Sequence, residues 1–478
     1  MSKMRTSPSL SVVMVVPVLL AVVASLACSG ATSPAPGSSG SNTVAASTVP
    51  SSIAGSPSKP AGSAPAGWTD SILFADANAW EPVIATDPSA PWVYAVSTVK
   101  YLDHCKDCPT WAMSFRASSD GGKTWGDMTQ VCKCKGYNWI GDPGLRTDAA
   151  GNLYASFLAT PGYRIMFSKS TDHGATWTGP KDLTGDLPWG DHPWIAVAPS
   201  GKDIYIGFDR VDHYVVASHD SGKTWTDPVR TNPGEEMRAG GYYFDESATV
   251  APDGSVYFLT PVFGCCPYGQ HAAYEPVKAF VASSSDGGRT WEQTKVAEVP
   301  PPPKALCTKG GCPKEWFGLL GAIASDSSGK LVVVYNGRGP DASEGEQIWT
   351  RMSTDGGASW THPQAISPPG NVIAAFPAIA ADGEGDFRVM WTDDRNGADT
   401  QTNWNIYSAR STDGGATWSE GVDVSNGAAY DYQTPEGFGF FYGDYGDIQI
   451  TNDGRSAVIW AESLLYKGPG STWLAFGK

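Results

Sequence analysis

The chain has 478 residues, a formal net charge of −16 and 41% hydrophobic residues. This charge excludes a nucleic-acid ligand, which needs basic surface against phosphate, and excludes attraction to an anionic membrane surface. Tryptophan is unusually frequent, and six of the 19 fall in one repeated motif.

Lys3 and Arg5 make a short basic start, Leu10 to Ala27 is apolar, and the stretch ends at Leu26-Ala27-Cys28. This resembles a bacterial lipoprotein signal, which implies removal of the preceding residues and lipidation of Cys28. Ser25 stands where that pattern usually has Leu, and an ordinary secretory signal is the alternative. Residues 29–67 are almost all Ser, Ala, Pro, Gly and Thr and bury too little apolar surface to fold. They are expected to form a flexible tether. The predicted location is extracytoplasmic, at the periplasm or cell surface, with a lipid as the sole membrane contact and secretion as the alternative.

From Trp68 to Lys478 short apolar runs recur in pairs around a turn. Examples are Val93-Tyr-Ala-Val96 after Pro82 to Asp87, Leu153 to Phe157 after Pro143 to Asp148, and Ile204 to Phe208 after Trp194 to Val197. Further pairs are centred on Val256, Leu331, Phe387 and Ala457. Each reads as a β-hairpin. Six hairpins are followed by the octapeptide Ser-x-Asp-x-Gly-x-Thr/Ser-Trp, at Ser118, Ser170, Ser218, Ser284, Ser353 and Ser411. Its Ser and Asp suit self-bonding turns, its Gly suits positive φ, and its Trp suits a sheet face.

The octapeptide resembles the Asp-box of sialidases and related β-propellers. The resemblance implies an all-β domain over residues 68–478, with four strands per blade. Seven hairpins favour seven blades, with the first and last strands sharing a sheet. Six blades, the sialidase number, is the alternative.

In such a fold the octapeptides lie on one face, and the loops before first strands and after second strands lie on the other. That second face is rich in aromatics beside carboxylates: Trp139 with Asp142, Trp189 with Asp191, and Asp444 with Tyr445. Rings stack on sugars, and carboxylates bind hydroxyls or a cation. Arg210, Arg338 and Arg395 end second strands and are candidates to grip a ligand carboxylate.

Phe376-Pro-Ala-Ile379 with Trp391-Thr-Asp-Asp394-Arg395 is similar to the opening blade of a sialidase. The arginine that grips sialic acid in that family is replaced by Ala375. If the resemblance extends to activity, it implies Tyr445 as nucleophile, Glu246 as its base, and Asp394 or Asp399 as general acid. The missing arginine tips the balance toward binding or altered specificity. Three functional classes stay open: a glycan-binding or glycan-processing propeller, an exo-sialidase with a rebuilt arginine set, and a protein-interaction scaffold. A glycan partner and a monomeric state are expected, with no cofactor and no metal.

Eight further cysteines fall in four pairs: Cys105/Cys108, Cys132/Cys134, Cys265/Cys266 and Cys307/Cys312. Export favours disulfides. Bridges between adjacent loops, the first pair to the second and the third to the fourth, are expected over bonds within a pair. A thiolate metal site at the first two pairs is the rival.

Overall fold

Six chain reversals of one chemistry set the strand pattern. In the first, Ser118 Oγ donates to Asp120 Oδ1 (2.8 Å) and accepts from the Gly122 amide (2.8 Å). Asp120 accepts from the Thr124 amide (2.9 Å) and hydroxyl (2.6 Å). The same pattern recurs around Asp172, Asp220, Asp286, Asp355 and Asp413. These bonds favour the ionised carboxylate and hold Asp172, Asp220, Asp355 and Asp413 at about 2. Each turn seats on the preceding hairpin: Trp177 packs edge-on against Phe115 at 5.4 Å, and Trp225 against Phe167 at 4.8 Å.

The computed structural model describes residues 64–74, 78–100, 108–232, 242–243, 247–263, 276–300, 319–339, 345–370, 372–396, 405–425, 445–462 and 471–478. Every regular element among them is a strand. No helix among the described residues is long and apolar enough to cross a membrane. The strands form antiparallel meanders of four, and one sheet of eight joins two meanders through a single parallel pair, Trp111 with Trp139. Tyr242–Tyr243 adds a short fifth strand to another. Thr69–Ile72, next to the start of the described chain, pairs with the last strand, Ser471–Gly477, so the two ends share one sheet.

The first strands of the meanders are Asn78–Thr86, Trp139–Thr147, Asp191–Val197, Ser247–Val250, Gly321–Ser325, Ala374–Asp382 and Asp447–Ile450. Each packs against the next, and the last packs against the first. Hydrogen bonds stitch neighbours together: Thr147 Oγ1 to the Thr86 carbonyl (2.7 Å), Thr86 Oγ1 to the Ile450 carbonyl (2.8 Å), and the Ile323 amide to Ser247 Oγ (3.1 Å). The core fills the space between successive sheets, as with Tyr154, Ile195 and Ile206, or Leu259, Ile323 and Val333. Polar alternation along the strands is weak because most of them are covered on both faces.

Four of the first strands carry a β-bulge at a residue that precedes proline. The bulged residues are Glu81 (φ 49°), Asp142 (φ 48°), His192 (φ 46°) and Phe376 (φ 53°). Bulges re-aim side chains, and these four shape the interior where the first strands meet.

One sequence expectation is corrected here. Cys132 and Cys134 bond to each other, with Cα atoms 5.1 Å apart, and do not bridge to Cys105 or Cys108. The chain reverses locally at Cys134 (φ 34°), which brings the two β-carbons together across one intervening residue. This also removes the thiolate metal site that needed both. Cys108 is disulfide-bonded as well. Cys28, Cys105, Cys265, Cys266, Cys307 and Cys312 lie outside the described residues.

Candidate functional site

The first strands converge on an interior cavity whose lining includes Arg146, Trp194, Phe376, Tyr445 and Asp447. Trp194, two residues past the His192 bulge, organises it. The Tyr445 ring stands edge-on to the Trp194 ring at 5.4 Å, and the Arg146 guanidinium lies 5.6 Å from the centre of that same ring. Arg146 also donates to Asp447 Oδ2 at 3.1 Å. Burial pushes the Asp447 carboxyl up, while the Arg146 charge and the Ile84 amide oppose that rise. The result is one fixed cation, one phenol and one indole on a shared wall. Such a set can hold a carboxylate and a sugar face together.

Beside this wall the bulges gather a second group. Ligand atoms of Asp142, Asp191 and His192 all lie within 4.8 Å of one another, and all three residues are buried. Burial pushes the Asp142 carboxyl up to about 6, with the neighbouring Glu81 working the other way. Burial also drops the His192 imidazole to about 3, so it is neutral at physiological pH. Asp142 and Asp191, read from the sequence as carboxylates of the loop face, are both buried.

The aromatic residues divide. Trp139 pairs in register with Trp111, whose ring lies 5.6 Å from that of Trp80. Lys100 sits 5.2 Å over Trp111. All three tryptophans are half-buried and form a strip along the edge where strands begin. Trp189 lies under the Arg210 guanidinium at 5.6 Å.

The three candidate arginines have separate surroundings. Arg210 rests on Trp189. Arg338 is buried, and Glu346 offsets the burial that lowers its pKa. Arg395 forms a fork on Asp393 and lies 3.6 Å over the Tyr407 ring. Among the described contacts none of them shares a partner with Tyr445. Asp394 is buried and accepts the Ile373 amide at 2.8 Å, the position of a carboxylate that fixes the entry of a strand. Glu246, Asp399 and Asp444 lie outside the described residues.

Sequence reasoning missed Arg146, Trp194 and Asp447 as a group. Arg146 carried a signal, since it is the one charge in the run Pro143-Gly-Leu-Arg-Thr. The pairing with Asp447, 301 positions away, carried none.

No family model matches the chain. The chain is 25% identical over 289 residues to a sialidase of Bacteroides fragilis (strain YCH46), a match that covers 51% of this chain and 47% of that protein. The chain thus spans about half the length of the curated relative it matches. A solved ulvan lyase, from a new family of polysaccharide lyases, has a TM-score of 0.54 at 13% identity, over 86% of this chain and 96% of that one. Trypanosoma rangeli sialidase, in complex with 2,3-difluorosialic acid, has a TM-score of 0.42 at 13% identity, over 87% of this chain and 59% of that one. The likeness to the lyase is one of fold.

Proposed function

We propose that this chain is a sialidase-like, seven-bladed β-propeller that binds and processes an acidic glycan at the axial cavity. The blade count is supported by the seven first strands, each packed on the next and the last packed on the first. Ring closure is supported by the pairing of Thr69–Ile72 with Ser471–Gly477. The sialidase-like assignment rests on the octapeptide turns and on the similarity to the Bacteroides fragilis sialidase.

The observation that carries the function is the shared wall of Tyr445, Trp194 and Arg146. Arg146 takes the place of the arginine that the sialidase pattern would put at Ala375, and it is the fixed cation beside the phenol. In this reading Arg146 holds the substrate carboxylate, Trp194 covers the sugar ring, and Tyr445 is the reacting group. A panel of fluorogenic glycosides, sialosides included, and uronate polysaccharides tests it. Turnover of a carboxylated glycan that Tyr445→Phe abolishes supports the proposal. No turnover and no binding of any carboxylated glycan refutes it.

A second reading, glycan binding without turnover, draws on the strip of Trp80, Trp111 and Trp139. There Trp139→Ala removes affinity, and no glycoside is cleaved.

The signal-like stretch and the tether composition support a membrane anchor through a lipid on Cys28. Detergent-phase partitioning that Cys28→Ala abolishes is the expected behaviour. An aqueous wild-type protein contradicts the anchor.

A further inference from the structure

We propose that Asp142, Asp191 and His192 form a binding site for one divalent cation at the bulged ends of the first strands. The carboxylate and imidazole atoms lie within 4.8 Å of one another, a separation that a single ion can span. All three residues are nearly sealed from solvent, with exposures of 2%, 6% and 5%.

The second observation is the state of Asp142. Both of its carboxylate oxygens are buried without an amide or cation donor among the described contacts, and its side-chain hydrogen bond is shared with Glu81. Its near neighbour, Glu81, is another acid. Buried carboxylates ordinarily sit opposite a guanidinium, an ammonium or several amides, because desolvating the charge is costly. Asp447, buried at the start of another first strand, shows the ordinary solution, with Arg146 and the Ile84 amide on one oxygen. Asp142 has no such cation among the described residues. A metal ion supplies that charge.

The donor set narrows the class. Two carboxylates and an imidazole suit a borderline or hard divalent ion such as Zn²⁺ or Mn²⁺. The two bulges explain how the fold delivers the ligands. Asp142 and His192 occupy matching positions in adjacent first strands, each with left-handed φ and each followed by proline. No spacing of the zinc-motif kind marks them, because the ligands come from two blades.

The test is independent of glycan chemistry. Purified full-length protein with its disulfides intact is stripped with chelator, then titrated with Zn²⁺ and Mn²⁺ by calorimetry. The expected result is one saturable site per chain, with Tm rising by a few degrees on metal addition. Asp142→Asn and His192→Gln should each weaken binding at least tenfold, while the exposed-turn variant Asp253→Asn should not. Wild-type protein that shows no saturable binding and no Tm shift overturns the proposal and leaves a proton shared by Glu81 and Asp142 as the explanation. Binding that survives unchanged in Asp142→Asn, with the variant's circular dichroism intact, overturns it equally.

Discussion

Asp447 Oδ2 accepts from the Ile84 amide at 3.2 Å and from Arg146 at 3.1 Å. One carboxylate therefore ties the last first strand to the two earliest ones, across more than 300 positions of chain. Asp447 is 2% exposed, and the Arg146 side chain is 20% exposed. Removing the acid leaves a partly buried cation and a buried amide without their acceptor. Asp447→Ala is expected to cost about 2–4 kcal/mol. Urea denaturation measures it, and a loss below about 1 kcal/mol would mean that water replaces the carboxylate.

Two turn glycines, one inside an octapeptide and one in a first-to-second-strand turn, separate backbone strain from packing. Gly174 has φ 83°, and a β-carbon there would lie 2.2 Å from the Phe115 ring. Gly254 has φ 88° with nothing within 4 Å. Gly254→Ala pays for left-handed backbone alone, about 1–2 kcal/mol. Gly174→Ala adds overpacking against the neighbouring blade and is expected to cost at least about 2 kcal/mol more. Equal losses in thermal unfolding would show that the turn does not seat on Phe115.

Acid should weaken the fold in two windows. Burial lowers His213 from 6.5 to about 3, and its Nδ1 lies 2.6 Å from Thr231 Oγ1. Between those values the unfolded chain takes a proton that the native imidazole refuses. Stability therefore falls as pH drops from 6.5 toward 3, by up to about 1.4 kcal/mol per pH unit for this group. The octapeptide aspartates, held at about 2, add a second loss as pH falls below about 4. Tm profiles of wild type and His213→Asn should diverge in slope only below pH 6.5. Parallel profiles would show that His213 is solvated.

The repeat was legible because its chemistry is local. The Ser118 and Asp120 side-chain bonds that close this turn are made within the octapeptide, so the residues alone announce it. Hairpins such as Asn78–Thr86 with Val93–Lys100 were legible from apolar runs and turns. The bulges were not. A residue before proline is expected to be extended, and Glu81, Asp142, His192 and Phe376 are left-handed instead. Asp142, at one of these bulges, is also buried. The Cys132–Cys134 bond was missed for a related reason, since one residue at positive φ decides whether two near cysteines can meet. Arg146 and Tyr445 both pack on Trp194, and no periodicity encodes which first strands face one another.

The proposed carboxylate-binding role of Arg146 bears most directly on function. Calorimetry should compare a sialylated or uronate oligosaccharide that binds the protein with its carboxyl-reduced counterpart, on wild type and on folded Arg146→Gln. The expected result is at least tenfold tighter binding of the carboxylated glycan by wild type, about 1.4 kcal/mol, with the preference gone in the variant. Equal affinity for the two glycans, or a preference that survives Arg146→Gln, would contradict an acidic-glycan site at the axial cavity.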